Sequence, residues 1–196
     1  MTTTTRIPKA KITGAYGWAV KRFSRKLLGD VPEPAEVMWH NRPVLNAFMS
    51  IGRKAQKWHQ LDPNLTSFAH MSVAALVGCS WCLDYGYYAA HTEGLDVNKA
   101  SEVPRWREST VFTPLERDVM EYAEAMSVTP TQVTDELAAR LLAQLGASAM
   151  VELTAVVAFA NLTTRANTAM GIESQGFSKE CAVPLATPTA GYVTTV

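Results

Sequence analysis

The chain has 196 residues, 47% of them apolar, and its 18 basic side chains balance 18 acidic ones, so its formal net charge is zero. That composition excludes disorder as the default state. The charge balance removes any general electrostatic reason to expect a nucleic-acid or membrane partner, and the length allows one core or two small ones.

The charge is uneven along the chain. Residues 1–30 carry Arg6, Lys9, Lys11, Lys21, Arg22, Arg25 and Lys26 against Asp30 alone. No long apolar run is free of charged or strongly polar groups, so no transmembrane helix is expected. The start, Met1-Thr2-Thr3-Thr4-Thr5-Arg6, lacks the apolar core of a signal peptide. A cytoplasmic location is the expectation, and there three cysteines do not form a disulfide scaffold.

Residues 1–13 read as an unstructured arm. From Tyr16 to Leu28, Trp18, Val20, Phe23, Leu27 and Leu28 alternate with basic positions, which predicts a short amphipathic helix. It reads as a packing helix with a solvated basic face, or as a membrane-surface helix anchored by Trp18 and Phe23. Pro32 and Pro34 break the chain, and a segment from Ala35 to His40 follows. Pro43 opens a helix running through Val44, Leu45, Phe48, Met49, Ile51 and Trp58. Asp62-Pro63 is a cap followed by Pro at the first helical position, predicting a helix from Pro63 to Val77 that stops at Gly78. The next helix starts around Cys79–Ser80 and ends near Gly94. Asp96 caps a short turn from Val97 to Ala100, and Glu102 to Thr110 reads as an irregular connection.

Thr113-Pro114-Leu115-Glu116 is a capping-box start, with Leu115, Val119, Tyr122, Ala123 and Met126 as the apolar stripe. Thr134 starts a helix ended by Gly146, and Ser148 is expected to cap a last one, Ala149 to Met170, ended by Gly171. No segment alternates with period two, and no Asn-Gly or Asp-Gly hairpin turn occurs. The expectation is an all-α, single-domain bundle of about seven or eight helices. Residues 1–34 form a basic arm and short helix, 35–172 the helical domain, and 173–196 a flexible, Thr/Pro/Ala-rich tail.

Chemistry concentrates in Gly78-Cys79-Ser80-Trp81-Cys82-Leu83-Asp84. A C-x-x-C at a helix start brings two sulfurs within disulfide reach, and the helix N-terminus favours a thiolate. Such a thiolate can attack a peroxide or a disulfide, and its neighbour can resolve the product. Two other readings stand beside the redox one. Structural zinc wants four ligands, and His40, His59, His70 and His91 supply no second pair, so no metal is expected. Buried cysteines can also simply fill space, the reading preferred for Cys181.

The run Leu61-Asp62-Pro63, an apolar helix and then Gly78 to Asp84 resembles the carboxymuconolactone decarboxylase family, closest to its alkylhydroperoxidase D branch. The resemblance continues through Pro104 to Ser109, Phe112 to Arg117, Ala123-Glu124-Ala125, Glu152-Leu153-Thr154 and Asn161 to Asn167. It spans roughly residues 40–172. It implies an alkylhydroperoxidase D-like helical fold with no cofactor, a hydroperoxide or disulfide substrate, and a thiol reductant, either a protein or a small molecule. It also implies a homo-oligomer, a trimer or a multiple of one.

In that branch a Glu twelve positions before the first Cys and a His four after the second form a proton relay for the second Cys, which attacks. Here Ser67 and Gly86 occupy those positions. An unassisted thiol of pKa about 8.5 is only a few per cent thiolate at neutral pH. Losing a positioned base costs about a hundredfold to ten-thousandfold in rate.

His70 is the candidate substitute base, since it shares a helix face with Ser67; the alternative is a hydrogen-bonded core histidine. The helix dipole would acidify Cys79 most, whereas the resemblance makes Cys82 the attacker and Cys79 the resolver. Trp81 and Ser67 are candidates for the substrate pocket, and Asp84 for support through hydrogen bonds to backbone or solvent. Asn161, Arg165 and Asn167 lie in an apolar helix and so are expected to be hydrogen-bonded, with carboxylate binding by Arg165 as the alternative. The expected function is a thiol-disulfide peroxidase-like oxidoreductase weakened by loss of the relay. A decarboxylase-like lyase and a non-catalytic family member are the alternatives.

Overall fold

In the computed structural model, which describes residues 5–188, the chain forms helices α1 (Gly14–Leu28), α2 (Glu33–Met38), α3 (Arg42–Ala55), α4 (Pro63–Val77), α5 (Ser80–Thr92), α6 (Val97–Glu102), α7 (Pro114–Ser127) and α8 (Asp135–Met170). Two short 3₁₀ turns, Val103–Arg105 and Phe177–Glu180, complete it, and the described residues contain no strand. The all-α expectation holds.

The start and stop signals work as the sequence implies. Asp62 accepts from the amides of Asn64 and Leu65 at the start of α4, and Gly78 ends it at φ 76°. Only a residue without a Cβ adopts that conformation cheaply. Thr113 and Glu116 form the reciprocal capping box of α7.

Helix α4 lies at the centre because it is apolar nearly all round. One face, Leu65, Ala69 and Val73, packs against Val119 and Ala123 of α7 and Leu153, Val157 and Ala160 of α8. The other, Phe68, Met71 and Ala75, packs against α5, Val103, Trp106 and Met120. Each large side chain buried this completely stabilises the fold by about 1.5–3 kcal/mol. A third cluster joins Ile12, Val31, Met38, Trp39 and Leu45 to Ala166 and Met170 at the end of α8.

By length and composition α8 is apolar enough to cross a membrane. Its apolar residues Ala149, Leu153, Val156, Val157 and Ala160 instead line the interior of the bundle. It is also not one straight rod: Gly146 sits at φ 76°, ψ 166°, splitting it where two helices are expected. Ser148 does not cap the second half, as its hydroxyl donates to Gln60.

Two expectations about the ends are corrected. Residues 5–12 are not a loose arm. The Arg6 guanidinium donates to the carbonyls of Thr168 and Ala169, Lys9 pairs with Glu33 at 2.8 Å, and Ile12 is buried. Residues 173–188 are not a loose tail either: they run back over α5 as a strap, described below. Positions 1–4 and 189–196 lie outside the described residues. The connection after Glu102 is more regular than expected, with its 3₁₀ turn buried at Val103 and Pro104. Helix α1 packs through Tyr16, which stacks on Trp39, through Gly17, which meets Ile12 and Trp39, and through Val20, while Trp18 and Phe23 stay exposed.

Candidate active site

The chain turns at Gly78 and enters α5 with Cys79 as its N-cap. The spacing of Cys79 and Cys82 puts their Cα atoms 5.3 Å apart, and the sulfurs are joined as a disulfide. Among the described residues each sulfur has one donor. The Cys82 amide donates to Cys79 Sγ at 3.2 Å, and Asn167 Nδ2 donates to Cys82 Sγ at 3.4 Å from α8. Both cysteines are buried, at 1% and 2% exposure, within the cluster that holds Phe68, Met71 and Tyr87.

Ser67, on α4, and Gly86, on α5, are the two positions that depart from the family relay. The Ser67 hydroxyl points back to Met71 Sδ at 3.8 Å and serves no sulfur of the pair. Gly86 falls one turn after Cys82 on the same face of α5. A Cβ built there would stand 3.3 Å from His70 Nδ1 and 3.3 Å from Met71 Cγ. His70 and Met71 thus leave a side chain at 86 only a tight fit. Burial pushes the His70 conjugate acid down to about 4, so the ring is neutral at pH 7 although it keeps partial access to solvent. A neutral imidazole of that acidity is a poor proton acceptor for a thiol.

Asp84 is a support. Its buried carboxylate accepts from Ser174 Oγ (2.7 Å) and from the amides of Gly176 (2.7 Å), Phe177 (3.0 Å) and Ser178 (2.7 Å). Burial alone would raise its pKa. The hydrogen bonds from Ser178, Ser174 and Phe177 outweigh burial and hold the carboxyl below its usual range.

Trp81 is tied to the same strap. Its indole N–H donates to Gln175 Oε1 at 2.8 Å, and its ring stacks on Tyr85 and meets Phe177 edge-on. Gln175 also accepts from the Glu33 amide and donates to the Val31 carbonyl, so strap, α5 and the N-terminal segment are laced together. Further along, Tyr87 donates to the Val183 carbonyl, and Cys181 and Leu185 pack on the cluster that contains both sulfurs.

Arg165 and Asn161 belong to a separate network. Asn161 Nδ2 donates to Ser127 Oγ at 2.7 Å, and Arg165 bonds Asn161 Oδ1 and the Ser127 carbonyl, pinning α8 to the end of α7. Their geometry favours the structural reading over carboxylate binding. Asn167 parts from them and turns to Cys82, a role its sequence position did not reveal. No cluster of His, Cys, Asp and Glu able to hold a metal occurs among the described residues.

Residues 43–125 match the family described as the carboxymuconolactone decarboxylase family. The Escherichia coli K12 protein YnjA is 35% identical over 162 residues, covering 82% of this chain and 87% of that one. Among solved structures, the debrominase Bmp8 in complex with 2,3,4-tribromopyrrole superposes with a TM-score of 0.76 at 20% identity, covering 92% of this chain and 95% of that one. The alkylhydroperoxidase AhpD core of a peroxidase-related protein from Ralstonia eutropha JMP134 gives 0.75 at 15% identity, covering 94% of this chain and all of that one (100%). These likenesses establish the alkylhydroperoxidase D-like fold. With the matched segment spanning the C-x-x-C helix and a relative aligned over most of both chains, this protein belongs to the carboxymuconolactone decarboxylase family.

Proposed function

We propose that the protein is a thiol-disulfide peroxidase-like oxidoreductase that cycles Cys79 and Cys82 between dithiol and disulfide. The observation that carries this reading is the disulfide at the mouth of α5, with a hydrogen-bond donor on each sulfur. The Cys82 thiolate attacks the terminal oxygen of an organic hydroperoxide. The O–O bond breaks, the alkoxide leaves and is protonated to the alcohol, and Cys82 becomes a sulfenic acid. Cys79 then attacks that sulfur, forming the disulfide and releasing water. Two electrons from a dithiol protein or from two small thiols restore the pair.

Both sulfurs are buried in the cluster on which Cys181 and Leu185 of the strap pack, so reaction and re-reduction require local opening. The missing relay makes the expected turnover slow. A reducing compartment, the cytoplasm, suits such a cycle. Assembly as a homo-oligomer is part of the proposal. It is supported by the outward apolar side chains Val44, Met49 and Ile51 on α3 and Val151 and Leu162 on α8, two helices that meet where Gly52 faces Phe159.

The test is steady-state turnover. Thiol-reductant consumption should depend on an added alkyl hydroperoxide, vanish in Cys82→Ser, and leave a trappable sulfenic acid in Cys79→Ser. Reductant consumption that ignores the hydroperoxide, or that survives both substitutions, rejects the reading. A non-catalytic role is the second reading, favoured by Ser67 and Gly86 at the relay positions and by a His70 too acidic to replace them.

A further inference from the structure

Asn167 is 4% exposed, and its carboxamide donates through Nδ2 to Cys82 Sγ at 3.4 Å. Its Oδ1, in the same planar group, is buried and has no hydrogen-bond partner. An unpartnered amide oxygen at such a site costs about 1–3 kcal/mol, which a packing role alone does not explain. The side chain comes from α8, 85 residues away in sequence, and among the described residues it is the one side-chain donor on either sulfur.

We propose that Asn167 holds Cys82 as the thiolate and so makes it, rather than Cys79, the more nucleophilic sulfur, leaving Oδ1 to accept the O–H of an incoming hydroperoxide. The inference rests on the peroxidase reading only for its last clause. Reduction of the disulfide leaves Sγ of Cys82 facing an N–H, and a donor favours the charged form of a thiol. Among the described residues no cation bonds either sulfur. His70, beside Gly86 one turn along the same face, is neutral at pH 7, Asp84 is a carboxylate committed to the strap, and Arg165 is bonded to Ser127 and Asn161. Cys79 has the helix N-terminus and a backbone amide, so the dipole and the carboxamide favour different sulfurs, and experiment can tell them apart.

The experiment is site-resolved alkylation of the reduced full-length chain by iodoacetamide across pH, with each cysteine read by peptide mass spectrometry. In the native chain the Cys82 midpoint should lie below the ordinary thiol value of about 8.5. Asn167→Ala should raise it by about one pH unit or more, roughly a tenfold loss of thiolate at pH 7, while the Cys79 midpoint stays in place. The isosteric Asn167→Asp puts a carboxylate there and should raise it further. It also carries the test if the alanine variant folds poorly, as judged by circular dichroism. A Cys82 midpoint unmoved in folded Asn167→Ala and Asn167→Asp overturns the inference, as does a shift confined to Cys79. A merely structural Asn167 would lower the melting temperature without moving a thiol midpoint. Hydroperoxide turnover in the native chain is scored separately, so the inference and the peroxidase reading can fail independently.

Discussion

Replacing Asp84 by Ala should free the strap and expose the disulfide. In the native chain this carboxylate accepts from one hydroxyl and three consecutive amides of residues 176–178. Hydrogen bonds to a charged acceptor are worth about 1.5–3 kcal/mol each when buried, and a stranded buried amide costs about 1–3 kcal/mol. Phe177 is buried while its neighbours are less so and regain water on release, so a net cost of about 2–4 kcal/mol is expected rather than the full sum. At 1.4 kcal/mol per decade, strap opening becomes about thirtyfold to a thousandfold more frequent.

The assay is hydrogen exchange of the amides at 176–178, run beside the rate at which a small phosphine reduces Cys79–Cys82. Both should accelerate together. The sign with pH follows from the direction of the shift. The Asp84 carboxyl is held below its unfolded value, so its contribution is complete above about pH 4 and is lost as pH falls through the lower folded value. The native strap should therefore hold through pH 5–7 and loosen only in stronger acid, while the Asp84→Ala strap is loose throughout. Unchanged exchange and unchanged reduction rates in the variant would refute the idea that this carboxylate anchors the strap that packs on the sulfur cluster.

Other substitutions probe the remaining links. Gly86→His, which restores the family residue, should destabilise the fold by about 1–3 kcal/mol in chemical denaturation because its Cβ meets His70 and Met71 at 3.3 Å. Combining it with His70→Ala should recover most of that loss, and no recovery would show that the His70 ring is not the obstacle. His70→Gln should leave the rate of thiol loss with hydroperoxide nearly unchanged at pH 7, whereas a fall of about a hundredfold would make His70 the base after all. Because the folded pKa of His70 lies near 4, below its unfolded value of about 6.5, the unfolded state binds the extra proton between those values. Native stability should therefore fall as pH drops from 6.5 toward 4, and His70→Gln should flatten that slope in urea titrations. Gly146→Ala should destabilise the chain by about 1–3 kcal/mol, since φ 76°, ψ 166° is a region only Gly occupies cheaply; an unchanged melting temperature would contradict the break in α8.

Local signals in the sequence carried over well to the structure. Asp62-Pro63, the Thr113 to Glu116 box and the glycines at 78, 146 and 171 act through neighbours a few residues away, so propensity and capping rules reach them. The cysteine spacing predicted the pair for the same reason. The strap was invisible because residues 173–188 show no periodicity, and their anchor is a carboxylate about 90 positions earlier. The N-terminal arm follows the same rule: Arg6 is held by carbonyls at the far end of α8. Asn167 could be flagged as a polar group in an apolar helix, but helical periodicity gives a face and not a partner, and Cys82 lies across the bundle. His70 was legible as a neighbour of Ser67, while its low pKa depends on burial that only packing supplies.

The most direct measurement of the central claim is a thiol count on the freshly reduced chain before and after one equivalent of an alkyl hydroperoxide, followed by peptide mapping. The account requires two thiols to disappear together and Cys79 to be recovered linked to Cys82, with the Cys181 thiol still titratable by an alkylating reagent. Survival of both thiols under those conditions, or oxidation that joins Cys181 instead, would contradict it.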